Sequence, residues 1–308
     1  MDSTTNQDPG GQRFFPPDVV VQIKALACAL PSEHGVPLSR WSNTEIASEA
    51  ISRGIVANIS GTTVWRWLGE DAIKPWQHQS WIFPRDPQFK QKAGRILDLY
   101  HGIYQGKALT PDEYVLCADE KTSIQARYRK HETLPAKSQQ AMKVEHEYER
   151  LGSLSYLAAW DVGHAKIFGR CEAHTGIESF DRLVADVMTQ APYASAKRVF
   201  WIVDNGSSHR GQTSVKRIRS KWPNAILIHL PVHASWLNQI EIYFSILQRK
   251  ALTPNYFSAL DDLVTNIMAF QKRYEQAAKP FEWKFTKEDL EKMMNKLTTQ
   301  SSQWPLAA

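Results

Sequence analysis

The sequence predicts a mixed α/β fold preceded by a small all-helical domain, and two patterns indicate it. From Tyr114 onward, short runs of β-forming residues alternate with segments of helical periodicity, which is typical of a sheet covered by helices. Before that region, residues 17–70 contain three short segments with helix start and stop signals. At 308 residues, with 43% apolar and 22% charged side chains, the chain can bury a sizeable core in one or two domains.

Composition divides the chain into five segments. Residues 1–16 are polar and end at a Pro-Pro pair, so we expect a flexible tail. Residues 17–70 form the helical domain and residues 71–112 a linker with one helix over 87–100. Residues 113–252 form the α/β domain, and residues 253–308 contain C-terminal helices that we expect to pack on it.

The helical domain is predicted to hold helices over 18–30 and 43–52 and a third that begins after Ser60. Ser60 is a good N-cap, and Ile59 and Val64 have the spacing of a hydrophobic staple. Three short helices with a tight turn before the last are typical of the helix-turn-helix motif.

The third helix has two distinct faces. Its inner face is predicted to carry Val64, Trp67 and Leu68, and its outer face to carry Thr62, Trp65, Arg66 and Gly69. A polar, Arg-bearing face near a helix N-terminus suits the DNA major groove, where side chains read base edges. Thr62, Trp65 and Arg66 are therefore candidate DNA contacts, although any three-helix bundle would show the same spacing.

The α/β region alternates predicted strands and helices. Predicted strands cover 114–121, 153–162, 165–172, 199–203 and 225–230. Predicted helices cover 177–190, 213–221, 235–250, 259–277 and 287–297. The run VFWIV at 199–203 is wholly apolar, as expected of a central strand covered on both faces.

The positive charge of the chain is concentrated in its middle. The net charge is +5, and residues 111–250 carry 19 Lys and Arg against 15 Asp and Glu. Residues 205–221 contain five basic residues and no acid, a pattern that a polyanion could use, although such a run alone more often marks a solvated helix face.

Several classes of protein are excluded or disfavoured by composition. Three scattered cysteines do not form a disulfide framework or a zinc motif. No apolar stretch approaches eighteen residues and no secretory signal begins the chain, so we expect an intracellular protein without a membrane span. Phosphate-binding glycine motifs are absent, which disfavours an ATPase or a dinucleotide enzyme.

Three acidic residues occupy distinctive places in the α/β region. Asp119 ends the predicted strand YVLCAD, Asp204 follows the run VFWIV, and Glu241 lies in the first turns of the helix WLNQIEIYFSIL. A carboxylate beside a buried strand needs a partner, because uncompensated burial of charge is unfavourable. Since carboxylates at neighbouring strand ends repel one another, we expect a cation to hold them together at neutral pH.

Each acid also has an ordinary interpretation. Asp204 begins the turn-forming sequence Asp-Asn-Gly, and a Glu near a helix start commonly only compensates the helix dipole. Asp119 is followed by Glu120, and strand alternation directs the two to opposite faces without indicating which faces a site. The hypothesis therefore depends on the three acids in combination.

The expected cofactor follows from the ligand chemistry. Carboxylate oxygens favour Mg²⁺ or Mn²⁺ over Zn²⁺, and the pair His229 and His233 is interrupted by Pro231. Two such ions about 3.5–4 Å apart can serve phosphoryl transfer. His209, Arg210 and Asn238 border these acids in sequence, and we expect them to contact or orient DNA near the metal site.

Four segments resemble the DDE transposases, in particular the bacterial insertion-sequence branch of the mariner superfamily. They are VLCADEKTSIQARYR, EYERLGSLSYLAAWDV, VFWIVDNGSSHRG and LPVHASWLNQIEIYFSILQRKAL, and the likeness extends from about Trp41 to Lys250. By motif, the family's catalytic and metal-binding triad corresponds to Asp119, Asp204 and Glu241, so the resemblance favours Asp119 over Glu120.

The resemblance implies a ribonuclease H-like fold, two Mg²⁺ ions that Mn²⁺ can replace, and cutting at the ends of a mobile DNA element. Its implied partners are terminal inverted repeats, a target DNA that is typically TA, and a second copy of the chain. It also implies a cytoplasmic, nucleoid-associated bacterial protein. Superfamily members often carry two helical DNA-binding units, and here residues 71–112 could supply only a weak second one. The alternative is a domesticated or inactive DNA-binding regulator on a decayed transposase fold.

Overall fold

The computed structural model describes residues 15–77 and 84–301. These residues divide into two compact units, one within residues 1–82 and one within residues 83–308. Most of the predicted tail, residues 1–14, and Trp81 of the predicted linker lie outside the described residues. Among the helices that are described, none is long and apolar enough to cross a membrane.

The first unit is a three-helix domain. Its helices are α1 (Pro17–Cys28), α2 (Asn43–Ser52) and α3 (Gly61–Glu70). They enclose one apolar core, whose fully buried members include Ile23, Trp41, Ile46, Val64 and Leu68. Local signals explain the helix starts, since Ser42 and Glu45 form a capping box and the Ser60 hydroxyl accepts the Thr63 backbone N–H at 3.2 Å.

The connection before α3 differs from the predicted tight turn. Residues 53–60 join α2 to α3, more than the three or four residues of the standard helix-turn-helix motif. Gly54 ends α2 with a positive φ of 69°, a conformation that glycine adopts without strain. The chain then returns to the core at Ile59, which is buried.

The second unit contains a five-stranded sheet, a short hairpin and six helices among the residues described. The hairpin is β1 (Ile103–Tyr104) with β2 (Lys107–Ala108), and the sheet strands are β3 (Glu113–Tyr128), β4 (Glu149–Asp161), β5 (Ile167–Glu172), β6 (Arg198–Val203) and β7 (Ala225–His229). The helices are α4 (Phe89–Tyr100), α5 (Ile177–Met188), α6 (Gly211–Lys221), α7 (Ile240–Lys250), α8 (Leu260–Glu275) and α9 (Lys287–Ser301).

The sheet is mixed and covered on both faces. Its strand order is β5-β4-β3-β6-β7, with β3 antiparallel to β4 and parallel to β6. Alternation along β3 sends Val115 and Cys117 to one core, with α4, α7, α8 and α9, and Leu116 and Ala118 to the other, with α5 and α6. The predicted mixed sheet with flanking helices is confirmed.

Two predicted boundaries in the α/β region are wrong. β3 continues to Tyr128 rather than ending at Lys121, and β4 begins at Glu149. A register shift between Lys121 and Ile124 interrupts the alternation of side chains between the two faces. The outer arms of this hairpin therefore lack the period-two sequence pattern that predicts a strand. The predicted helix 235–250 begins only at Ile240, after a short 3-10 turn.

The linker prediction also changes. The amphipathic helix α4 buries Phe89, Ala93, Ile96 and Leu97 in the core that contains α7 and α9. The described residues 84–112 therefore belong to the second unit and do not form a separate linker or helical unit, because their apolar face is already covered.

An ion pair fixes the register of the central strands. Glu113 faces Arg198 at the first pair of the β3–β6 ladder, its side chain is buried, and it is bonded to the Arg198 guanidinium. Burial alone would raise the pKa of Glu113, but hydrogen bonds from the Thr110 backbone N–H and from Arg198 outweigh it and lower the pKa to about 2. This carboxylate therefore stabilises the fold above its ordinary pKa of 4.5, and that stabilisation is lost as pH falls towards 2.

We expect Glu113→Gln to lower the free energy of unfolding by about 3 kcal/mol at pH 7, because a shift of one pKa unit corresponds to about 1.4 kcal/mol. Urea unfolding at pH 7 and pH 3 measures the effect, which should shrink by more than half at the lower pH. Glu178→Gln, on the exposed first turn of α5, is the control. A difference of equal size at both pH values would contradict the prediction.

Candidate active site

The candidate acids gather where one strand ends beside a longer one. The β3–β6 ladder ends at the pair Cys117 and Ile202, and Asp119 and Asp204 follow two residues later on each chain segment. Alternation along β3 places Asp119 on the sheet face of Cys117, and Asp204 directly follows Val203, the last residue of β6. β6 ends at Val203 while β3 continues to Tyr128, so the site lies at the C-terminal end of β6, beside the middle of β3.

Glu241 approaches from a helix on that same face. It lies in the first turn of α7, which packs on the sheet through Ile240, Tyr243, Phe244 and Leu247. Burial raises the pKa of Glu241, the nearby Lys121 opposes the rise, and the charge of Asp204 adds to it.

Asp119 is held by its own strand and by the segment before α7. Its Oδ1 accepts the Glu120 backbone N–H at 2.8 Å, and its Oδ2 accepts the Asn238 side-chain N–H at 3.3 Å. Asn238 also donates to the Ala118 carbonyl at 3.1 Å, which ties the start of α7 to β3. Burial, followed by the charges of Asp204, Glu120 and Glu241, raises the pKa of Asp119 to about 7, although the hydrogen bond from Glu120 lowers it.

Asp204 is held by a turn and by a buried histidine. Its Oδ1 accepts the Gly206 backbone N–H at 2.7 Å and is hydrogen-bonded to His209 Nε2. The hydrogen bond with His209 is the main reason that the pKa of Asp204 is lowered. A Cβ at Gly206 would lie 2.9 Å from Asp204 Oδ1, so a larger residue there would displace this carboxylate. The turn interpretation of Asp-Asn-Gly is thus correct, and the turn presents a carboxylate that remains 41% exposed.

Glu120 faces the other side of the sheet. Its Oε1 accepts the Ser208 hydroxyl at 3.1 Å, and Ser208 Oγ lies 2.9 Å from His209 Nδ1. A hydrogen-bonded chain therefore connects Glu120, through Ser208 and His209, to Asp204. Sequence reasoning missed Ser208 and Glu120 as supports of the site, because no local pattern shows that residues 88 positions apart meet.

The site collects negative charge without forming a ready coordination shell. Within the described ranges 15–77 and 84–301, no three His, Cys, Asp or Glu side chains are placed so that they could together hold a metal ion. The carboxylates of Asp119, Asp204 and Glu241 are nevertheless close enough to influence one another's pKa. Their hard oxygen chemistry and mutual repulsion fit a divalent cation such as Mg²⁺.

Two of the residues predicted to contact DNA are buried in this structure. The side chain of His209 is buried, and its ring nitrogens are directed to Asp204 and Ser208 rather than to solvent. Asn238 is 1% exposed and contacts Asp119 and Ala118 instead of a solvent-facing surface. Both residues support the acids from within.

The remaining predicted contacts are accessible. Arg210 is exposed next to His209, and Thr62, Trp65 and Arg66 lie on the exposed face of α3, opposite buried Val64, Trp67 and Leu68. The predicted two-faced helix is confirmed as a structural feature, and its contact with DNA stays a prediction.

The basic run is partly neutralised within the chain. Arg217 and Lys221 of α6 both pair with Asp181 of α5, and Arg217 also donates to the Ser208 carbonyl at 2.6 Å. These two side chains therefore serve the packing of α5 on α6, while Lys216 and Arg219 stay exposed.

Comparison with known proteins identifies the family and the fold. Residues 114–264 match the family described as DDE superfamily endonuclease. No curated protein matches the sequence. The crystal structure of the Mos1 mariner paired-end complex with Mn is 13% identical, with a TM-score of 0.52, and the match covers 98% of this chain and 80% of that one. The Mos1 strand-transfer complex is 12% identical, with a TM-score of 0.50, and the match covers 94% of this chain and 78% of that one.

The strand order and flanking helices define a ribonuclease H-like α/β protein, which is the fold of the Mos1 catalytic domain. Residues 114–264 of this chain are therefore similar to the DDE superfamily of endonucleases. The resemblance to DDE transposases is therefore confirmed at the level of family and fold.

Proposed function

We propose that this chain is a mariner-type transposase that binds the ends of a mobile DNA element, cuts them and joins them to a target. The observation that carries the proposal is that Asp119, Asp204 and Glu241 lie near one another at the C-terminal end of β6, inside the residues that match the endonuclease family. The exposed, Arg-bearing face of α3 supports recognition of duplex DNA. The expected partners are terminal inverted repeats, a TA target and a second copy of the chain in a bacterial cytoplasm.

Asp119, Asp204 and Glu241 would hold the divalent ions. Two Mg²⁺ ions, or Mn²⁺ in their place, supply charge neutralisation for the attacking and leaving oxygens of a phosphodiester. The chain itself contributes positioning: His209 and Gly206 orient Asp204, and Asn238 orients Asp119. Rigid placement of acids and DNA is the main contribution that a protein makes to this kind of phosphoryl transfer.

The decisive experiment uses a supercoiled plasmid that carries the genomic ends flanking this gene. With Mg²⁺ and the full chain, we expect nicks that map to the element ends and leave 3′-hydroxyls. Binding without cleavage would favour the alternative of a DNA-binding regulator on a decayed catalytic fold. Cleavage without preference for the ends would indicate a general nuclease instead.

Arg66→Ala tests the role of α3 in recognition. We expect the variant to weaken binding to end DNA by about 1–3 kcal/mol if Arg66 reads a base, with little change for unrelated DNA. Fluorescence anisotropy over a range of salt concentrations measures both affinities. Arg53→Ala removes an exposed arginine that pairs with Glu49 in the same domain and serves as the control. If the wild type and Arg66→Ala bind end DNA equally at every salt concentration, Arg66 has no role in recognising the DNA ends.

A further inference from the structure

The outer arms of the β3–β4 hairpin carry three arginines around one tyrosine. Arg127 and Arg150 are directly opposite each other on the two strands. The Arg127 guanidinium lies 4.6 Å and that of Arg129 lies 5.7 Å from the centre of the Tyr148 ring, which is 37% exposed. We call Arg127, Arg129, Arg150 and Tyr148 the arginine cluster.

The arginine cluster concentrates uncompensated positive charge. Like charges placed directly across an antiparallel pair destabilise it unless an opposite charge is near. Among residues 15–77 and 84–301, no Asp or Glu lies within ion-pairing distance of Arg127, Arg129 or Arg150. Glu145, whose backbone carbonyl accepts a hydrogen bond from Arg129, has its carboxylate bound to His131 instead.

The three arginines differ in the hydrogen-bond partners that they already have within the chain. Arg129 is buried and donates to the backbone carbonyls of Glu145 and Asn255, so it joins the hairpin to the segment after α7. Arg127 Nε is buried without a hydrogen-bond partner among the described residues, and Arg150 is exposed. Because Arg127 is half-buried and Arg150 is exposed, their guanidinium groups can still bind an external anion, which suits the fork geometry of a guanidinium.

The arginine cluster adjoins the candidate active site. Arg127 and Arg129 line a cavity of about 280 Å³ together with Gln248 of α7. Gln248 also lines the neighbouring cavity, which contains Lys121 and Glu241. Arg127 lies eight residues beyond Asp119 on β3, which at about 3.3 Å per residue is a separation of at most roughly 26 Å.

That separation matches a short length of DNA. One strand of a duplex advances about 3.4 Å per nucleotide, so roughly 26 Å corresponds to about seven to eight nucleotides. A duplex whose reacting phosphodiester lies at Asp119 can therefore place another backbone phosphate beside the cluster. An aromatic ring among arginines also suits nucleic acid, since the ring can contact a sugar or base while the arginines contact phosphate.

We propose that Arg127 and Arg150 form a second DNA-backbone site, which binds phosphates within about seven nucleotides of the reacting phosphodiester and fixes the path of the DNA away from the active site. This inference rests on the proposed function, because it takes duplex DNA as the substrate. The site reads no base sequence, and it acts equally on any DNA that follows this path.

Two measurements test the site. The first scans an end-DNA duplex with single methylphosphonate linkages, which remove the charge of one phosphate at a time, against the wild-type chain. We expect reduced affinity when the methylphosphonate lies at the cleavage position, and also when it lies in a second group of linkages within about seven nucleotides on one side. The second measurement repeats the scan with the double variant Arg127→Gln/Arg150→Gln, for which the second group should lose its effect.

The salt dependence of binding gives an independent readout. Loss of two phosphate contacts should lower the slope of log K against log salt by about 1.8, at roughly 0.9 per contact. The double variant Lys272→Ala/Lys279→Ala removes equal charge from exposed positions in the C-terminal segment and should keep the wild-type slope. Thermal melting checks that both double variants are folded, and the wild-type scan needs no variant at all.

The outcomes separate this site from the function as a whole. The second DNA-backbone site is refuted if the wild-type scan shows no second group of sensitive linkages, or if the arginine variant keeps the wild-type salt slope. Neither result would contradict the proposed cleavage activity. A variant that alters only self-association in sedimentation would show that the cluster contacts protein instead. If the wild type binds no DNA, the proposed function itself fails.

Discussion

Asp204→Asn should reduce strand cleavage by roughly 10³-fold while DNA affinity stays within about twofold of the wild type. The substitution keeps the shape of the side chain and removes the negative charge that a divalent cation requires. The Asp204 side chain is 41% exposed, and its hydrogen bonds come from Gly206 and His209 rather than from DNA-facing groups. We therefore expect the fold and the DNA surface to survive the change.

Cleavage of end DNA and anisotropy binding, measured on the same preparations, separate the two effects. Asp261→Asn changes an exposed acid in the first turn of α8 and should cut at the wild-type rate. Wild-type cleavage by Asp204→Asn would reject the catalytic assignment. A matching loss of binding and cleavage would show instead that Asp204 contributes to DNA affinity.

His209→Ala should raise the Mg²⁺ concentration needed for half-maximal cleavage by about 10–100-fold, because residues that orient metal ligands usually have effects of this size. His209 is buried, its Nε2 is bonded to Asp204, and its Nδ1 is bonded to Ser208. Without the imidazole, the Asp204 carboxylate keeps only the Gly206 N–H and can rotate away from Asp119.

Titration of cleavage with Mg²⁺ distinguishes positioning from a general loss of structure. A purely structural defect lowers the amount of active protein at every Mg²⁺ concentration, whereas lost positioning shifts the midpoint and is relieved at high Mg²⁺. His209→Gln retains a donor near the Nε2 position and should recover part of the shift, and His174→Ala changes an exposed histidine as the control. An unshifted midpoint in His209→Ala would argue against the positioning role.

Several elements could be predicted because their signals are local. Helix α2 has the predicted bounds Asn43–Ser52, and α3 begins after the predicted cap Ser60. The apolar run at 199–203 is a central strand, as its composition requires. In each case the cap, the periodicity or the β-forming run lies within about ten residues, so no distant partner is needed to recognise it.

Other features could not be predicted from neighbouring residues. The extension of β3 to Tyr128 depends on its pairing with β4 across a register shift, and α4 belongs to the second unit because helices far along the chain cover its apolar face. His209 and Asn238 looked like solvent-facing polar residues, but Asp204 and Asp119 give them buried partners.

The sequence by itself determined which residues can carry the chemistry: three carboxylates in a recognisable family pattern, and a helix with one polar face. The tertiary structure decided their arrangement. The β3–β6 register, fixed by Glu113 and Arg198, sets Asp119 beside Asp204, and the packing of α7 brings Glu241 to the face of Asp119 rather than of Glu120. The physical reason is that periodicity reports only on adjacent residues, whereas burial and electrostatic coupling depend on segments that meet only when the chain has folded.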